Sequence, residues 1–173
     1  MNILVTGISG SGKSTLLPEL QKHGFKTYNT DDIPGVYQLE NKQTGEPLDW
    51  PDGYVDWTVY AYRWQAEPLR TLLDSSENVA VAAVMENQQK FYEWFDLRFV
   101  ITIENDALRR HWRESSGHHR DAHPDNLERA LLRNKVKEQE FIDEGCIPIA
   151  GDRPLGEMAA DVMRIIHEHT NVA

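Results

Sequence analysis

The sequence holds one cysteine, Cys146, so no disulfide can close within the chain. That usage fits a reducing compartment, and a cytoplasmic protein is expected. Cys146 sits in the apolar run Cys146-Ile147-Pro148-Ile149, where a buried, inert thiol is the expected state. No apolar stretch approaches the ~20 residues a membrane-spanning helix needs, and the chain enters a β-branched run with no charged leader before it. No long Lys/Arg run offsets a formal net charge of −10. A nucleic-acid polymer or an anionic membrane would be repelled at long range, so neither is expected as a partner. The summed charge leaves room for a local basic cleft. Internal repeats, low-complexity tracts and an inter-domain linker are also missing, and 173 residues suit one domain spanning positions 1–173.

What is present alternates between strand and helix patterns. Asn2 to Thr6 is a short apolar run that ends at Gly7 and predicts a buried parallel strand. Ser14 to His23 predicts a helix with Leu16, Leu17 and Leu20 on one face, Gly24 as its C-terminal cap and Pro18 tolerated near its first turn. Phe25 to Asn29 is a second strand. Residues 31–57 hold Pro34, Gly35, Gly45, Pro47, Pro51 and Gly53 with Trp50, Tyr54 and Trp57 among them, and read as a long irregular insertion. A helical pattern returns from about Val59 to Leu73. Asn78 to Val84 is the clearest central strand, Gln88 to Phe95 a short helix, Arg98 to Ile103 a fourth strand, and Asp106 to about Glu114 another helix. Ser115 to His123 is polar and reads as a loop, Pro124 opens a helix ending at Gly145, Cys146 to Ile149 is a fifth strand, and Leu155 to about His167 the last helix. This alternation predicts a doubly wound α/β domain.

Residues Gly7 to Ser14 read Gly-Ile-Ser-Gly-Ser-Gly-Lys-Ser, matching G-x-x-x-x-G-K-[ST] at every fixed position, between a strand and a helix. Glycines let successive N–H groups turn inward as an anion nest, and the helix adds the positive end of its dipole. Gly7, Ser9, Gly10, Ser11, Gly12, Lys13, Ser14 and Thr15 are therefore candidates for holding a nucleoside triphosphate. Lys13 reaches for the β- and γ-phosphates, and the Ser14 hydroxyl for Mg²⁺. ATP with Mg²⁺ is the expected ligand. The motif identifies a nucleotide site without naming a reaction.

With this loop at its start and five strands in so short a chain, the sequence resembles the small P-loop kinases: nucleoside-monophosphate, shikimate and gluconate kinases. The likeness covers Asn2 to Asp32 and Asn78 to the C-terminus and fails over residues 33–77. It implies a three-layer α/β P-loop fold: a five-stranded parallel sheet of order 2-3-1-4-5, helices on both faces and a small lid at residues 113–123. It further implies an acceptor-binding insertion at residues 31–77. The second strand runs into Tyr28-Asn29-Thr30-Asp31-Asp32. In the shikimate and gluconate kinases an Asp here meets the acceptor hydroxyl, which assigns Asp31 as catalytic carboxylate, acceptor ligand and neighbour of the metal, with Asp32 beside it. An Asn29 stands where shikimate kinase has a second Asp, and Asp31 or Asp32 could instead simply cap the turn before Pro34. The lid implies catalytic arginines at Arg113 and Arg120, and the helix before it nucleotide contacts at Arg109 and Arg110. Each could equally be a solvated surface charge. The loop Gly151-Asp152-Arg153-Pro154 matches the one that wraps adenine in the family, which marks Gly151, Arg153 and Pro154. Many P-loop proteins end the third strand in an Asp. This chain has Val84-Met85-Glu86-Asn87, with Glu86 as a stand-in metal ligand and Asn87 as an acceptor contact.

Trp50, Trp57 and Trp64 recur every seven residues, but Pro51 and Gly53 exclude one helical stripe. Trp50 and Trp57 suit an aromatic wall for a planar acceptor and Trp64 a small core. Arg63 could pair with an anionic acceptor. His118, His119 and His123 cluster without a nearby cysteine, and a structural zinc site is not expected. The combined expectation is ATP-dependent phosphoryl transfer to a small-molecule acceptor, a nucleoside or nucleotide before a polyol or sugar acid, by a monomer or homodimer. The alternatives are a plain P-loop NTPase and a nucleotide-binding switch without a small-molecule acceptor.

Overall fold

The structure, a computed structural model, describes residues 1–49, 55–114 and 125–172. In chain order its elements are β1 (Asn2–Thr6), α1 (Lys13–Lys22), β2 (Lys26–Asn29), β3 (Tyr37–Asn41), β4 (Pro47–Leu48), β5 (Tyr60–Trp64), α2 (Ala66–Leu73), β6 (Val79–Ala82), β7 (Leu97–Thr102), α3 (Asn105–Glu114), α4 (Asp125–Asp143), β8 (Ile147–Ala150) and α5 (Leu155–Val172). Short 3₁₀ turns occupy Thr30–Asp32 and Gln88–Trp94.

Five strands form a parallel sheet in the order β2-β6-β1-β7-β8. Counting only the strands of this sheet, that is the expected order 2-3-1-4-5. Successive side chains of a strand point to opposite faces, and both faces are buried. Ile3, Val5, Ala80, Ala82, Phe99 and Ile101 face one way, onto Leu16 and Leu20 of α1 and Val162 and Ile166 of α5. Leu4, Val79, Val81 and Val100 face the other way, onto Leu69, Leu72 and Leu73 of α2 and Phe141 of α4. Two covered faces explain why these strands are apolar along their whole length rather than alternating.

Two regions depart from the sequence reading. The span Val59 to Leu73, expected as one helix, divides into β5 and α2 at Gln65. Tyr60, Tyr62 and Trp64 recur with period two, and pairing to β3 (Leu39 opposite Tyr62, Tyr37 opposite Trp64) overrides the helical spacing. The insertion expected to be irregular contains β3 and β4, which join β5 in a three-stranded antiparallel sheet of order β4-β3-β5. Its tight turn is built by Asn41, whose side-chain oxygen accepts from the N–H groups of Gln43 (2.9 Å) and Thr44 (3.1 Å). Pro18 lies inside α1, beyond the first turn where it was expected, and has no N–H to give the Ser14 carbonyl.

Helix α4 is docked by polar side chains as well as apolar ones. Buried Glu138 accepts from Ile103 N (2.5 Å), and buried Asn134 donates to Ile103 O (2.7 Å) and Asn105 Oδ1 (3.0 Å). These bonds satisfy the main chain just beyond the end of β7 and set which face of α4 looks outward. Among the described residues, no helix is long and apolar enough to cross a membrane.

Candidate active site

The chain leaves β1 at Thr6 and enters α1 at Lys13 through a turn in which Gly7, Gly10 and Gly12 have φ of 141°, 84° and 103°, conformations that a side chain would strain. The turn is held by Ser11 N donating to Ile8 O (3.1 Å) and Thr15 N to Gly12 O (3.1 Å). Behind it, Thr6 Oγ1 donates to Gln88 Oε1 (3.2 Å), which also accepts from Met85 N (3.2 Å), and Gln88 Nε2 donates to Tyr92 Oη (2.9 Å). The loop therefore rests on a buried polar strut from the segment after β6.

Lys13 folds over the turn and donates from Nζ to Gly7 O (2.9 Å) and Ile8 O (3.0 Å). Burial of the ammonium lowers its pKa to about 8, against the opposing pull of Asp31. Ser14 and Thr15 are exposed at the mouth of the loop. Asp31, in the turn after β2, faces the same cleft. Protein crowds around it while solvent still reaches its carboxylate. The crowding raises its pKa, Lys13 opposes the rise and Asp32 adds to it. Asp32 is tied back by Asn29 Nδ2 (2.7 Å).

The loop, Asp31 and the antiparallel sheet surround one open cleft of about 1990 Å³. Its far wall is aromatic: the Tyr37 and Tyr62 rings meet edge to face with centroids 5.1 Å apart, and Trp57 lies 5.1 Å from Tyr62. Burial raises the Tyr62 pKa, with Tyr37 and Asp31 adding to the rise, so this phenol stays neutral. Trp64 is no part of that wall. It is 2% exposed, packs on Phe91 and Phe95 at 5.9 Å, and donates from Nε1 to Thr30 Oγ1 (3.2 Å).

Glu86 lines the cleft, and its N–H donates to Tyr62 O (2.9 Å). Asn87, expected at the acceptor, does other work. Its Oδ1 accepts from Trp64 N (2.9 Å) and its Nδ2 donates to Trp64 O (3.0 Å), so both ends of the amide pair with the main chain of β5. Arg63 likewise turns from the cleft to Glu40 Oε2 (3.5 Å) and Lys42 O (3.4 Å). Arg109 bridges to Glu128 (3.3 Å) between α3 and α4, and neither it nor Arg110 nor Arg113 lines the cleft. Gly151 and Arg153 do line it, with Arg153 also paired to Asp161. Pro154 only opens α5, accepting from Glu157 N (2.9 Å). A Cβ on Gly151 would come within 2.5 Å of Ile101 Cγ2 and 3.1 Å of Ser11 O, so this loop presses directly on the Gly7–Ser14 turn. Trp50, Arg120, His118, His119 and His123, with most of the lid at 113–123, lie outside the described residues.

Further lining of the cleft was missed in the sequence. Arg129, Arg133 and Lys137 of α4 line the cleft, as do Lys42, His111 and Trp112. Spacing of i, i+4, i+8 marks the three α4 cations as one helical stripe. The signal was present, but nothing in it says what the stripe faces.

A family model described as an AAA domain matches residues 3–138. Among curated proteins, none matches the sequence. Among solved structures, the chain is similar to deoxyadenosine kinase from M. mycoides with bound dATP, at 12% identity over 96% of this chain and 100% of that one, with a TM-score of 0.59. It is similar to shikimate kinase from Aquifex aeolicus at 16% identity over 100% of both chains, TM-score 0.57. It is also similar to a gluconokinase from Sinorhizobium meliloti at 14% identity over 99% and 94%, TM-score 0.55. At such identities the likeness is one of fold. The chain therefore belongs to the AAA-domain family and has the fold of the small P-loop kinases.

Proposed function

We propose that this protein transfers the γ-phosphoryl group of ATP to a small-molecule acceptor, a nucleoside or nucleotide in the first instance. The observation that carries this reading is one cleft joining the Gly7–Ser14 loop and Lys13 to Asp31 and the Tyr37–Tyr62–Trp57 wall. The loop N–H groups and Lys13 hold the polyphosphate. The acceptor ring lies on the aromatic wall, which binds a flat surface without fixing its polar pattern. Asp31 orients the acceptor hydroxyl and takes its proton as that oxygen bonds to the γ-phosphorus. The bond from that phosphorus to the β-bridging oxygen breaks, and ADP carries the electron pair away.

The oxygens of Ser14, Asp31 and Glu86 on this cleft suit Mg²⁺, which takes few protein ligands and fills its sphere with water and phosphate. When bound, the ion supplies neutralisation of charge on the phosphates. The α4 stripe makes this wall basic in an otherwise acidic protein, a field that favours an anionic ligand. Residues 31–77 are proposed as the acceptor-selecting part.

The test is ADP release with Mg-ATP and a panel of deoxyadenosine, deoxyadenosine monophosphate, gluconate and shikimate. Turnover that rises with a nucleoside or nucleotide is expected, with a loss of roughly 10²-fold or more in Lys13→Ala. Turnover indifferent to every acceptor would replace this reading with a plain NTPase.

A further inference from the structure

The phosphate turn is held by α3, at Gly10, beside the cleft that His111 and Trp112 also line. A Cβ on Gly10 would come within 3.0 Å of Trp112 Cε3 and 3.1 Å of Leu108 Cδ1, so the helix lies directly against this peptide. Leu108 is fully buried in a cluster with Ile103, Ala107 and Leu131, and Ile8 of the turn packs on that cluster. On the same face, His111 Nδ1 lies 3.2 Å from Gly10 O. A carbonyl oxygen only accepts, so Nδ1 carries the proton of this bond.

The peptide between Gly10 and Ser11 is thus fixed at both ends. Its N–H is given to Ile8 O (3.1 Å) and its C=O to the imidazole. That orientation matters in a nest whose affinity for anions comes from aligned N–H groups. Gly10 has φ 84° and no side chain to oppose rotation. A released Gly10–Ser11 peptide could therefore turn its carbonyl dipole inward, against a polyphosphate.

We propose that His111 is a positioning residue for nucleotide binding, holding the Gly10 carbonyl away from the anion nest. The proposal rests on the reading of Gly7–Ser14 as a triphosphate site, and goes beyond it by making α3 part of that site's geometry. His111→Phe keeps a ring without a donor, whereas His111→Asn keeps an amide N–H close to the place of Nδ1.

Calorimetry with Mg-ATP should show His111→Phe binding about 10-fold more weakly than the unsubstituted protein, with His111→Asn within about 3-fold. Melting temperatures of the two variants should agree. Exchange of the Ser11 amide, followed without nucleotide, should be faster in His111→Phe than in His111→Asn. Unchanged Ser11 exchange in His111→Phe overturns the proposal, as does equal weakening in both variants with equally lowered melting. Failure of the unsubstituted protein to bind Mg-ATP would instead overturn the functional reading, and the Ser11 exchange would still decide the role of His111.

Discussion

Lys13 shows what burial does to a charged side chain in the loop proposed to bind phosphate. The residue is 8% exposed, its ammonium sits on two carbonyls, and desolvation lowers its pKa to about 8. The unfolded chain keeps the ordinary lysine value, so between about 8 and 10.5 it binds more protons than the folded one. For this group alone, stability therefore rises with pH across that window and is lowest below it, where the buried charge is retained. A polyphosphate beside Nζ restores the preference for the charged form. ATP binding at pH 8.5 is then expected to take up roughly half a proton or more, measured by calorimetry in buffers of different ionisation enthalpy. Binding with no buffer dependence would contradict this account of Lys13. The loop containing Lys13 was legible in the sequence because its chemistry is contiguous: eight successive residues carry the nest, the lysine and the hydroxyl. The role proposed for Asp31 came from the resemblance to the shikimate and gluconate kinases, applied at its place after the second strand. Asn87 and Arg63, expected at the acceptor, each bond a nearer partner, the Trp64 main chain for one and Glu40 for the other, which no local pattern announces.

At the scale of elements, the antiparallel sheet has to be joined to the parallel one, and the joint combines the packing of Trp64 on Phe91 and Phe95 with a few hydrogen bonds. Asn87 pairs with the main chain of Trp64, Glu86 N donates to Tyr62 O (2.9 Å), and Trp64 Nε1 reaches Thr30, next to Asp31. These bonds hold β5, with Tyr62, beside the turn that carries Asp31. Asn87→Ala leaves two partly buried main-chain groups of β5 without partners, and a loss of about 1–3 kcal/mol in unfolding free energy is expected. Denaturant titration checks the magnitude. Affinity for Mg-ATP should be unchanged, because the strut beneath the loop runs from Thr6 through Gln88 to Tyr92 and takes no side-chain bond from Asn87, and a parallel loss of ATP binding would argue against this division of labour. β5 itself was hidden in the sequence. Tyr60-Ala-Tyr-Arg-Trp64 runs straight into a true helix, and only pairing with β3 separates the two. The short strands β3 and β4 were hidden for a similar reason, since their glycines and prolines belong to the turns between them.

Over the whole molecule, a net charge of −10 coexists with a cleft whose one wall carries Arg129, Arg133 and Lys137. Arg129 and Lys42 also act on Asp56, holding that carboxyl below its usual range after the larger effect of its bonds to Thr58. Long-range repulsion and local attraction differ in their sensitivity to salt, and the Debye length of about 10 Å at 0.1 M falls within the cleft. Mg-ATP affinity is expected to fall several-fold between about 0.05 and 0.5 M salt, and the slope to flatten in the Arg129→Ala, Arg133→Ala double variant. Equal slopes in the two proteins, measured by calorimetry, would remove the α4 stripe from the ligand's field.

The sequence alone determined the Gly7–Ser14 turn between strand and helix and the parallel α/β pattern, because both are written in local runs: a glycine-lysine motif, and strands apolar on both faces separated by helices; the strand order came from the resemblance to the small P-loop kinases. The tertiary structure alone decided the walls of the cleft. Which face of α4 looks inward depends on Asn134 and Glu138 bonding the main chain near Ile103, and whether Tyr62 sits on a strand depends on β3. Such choices are made by contacts between residues far apart in the chain, and no local pattern records them.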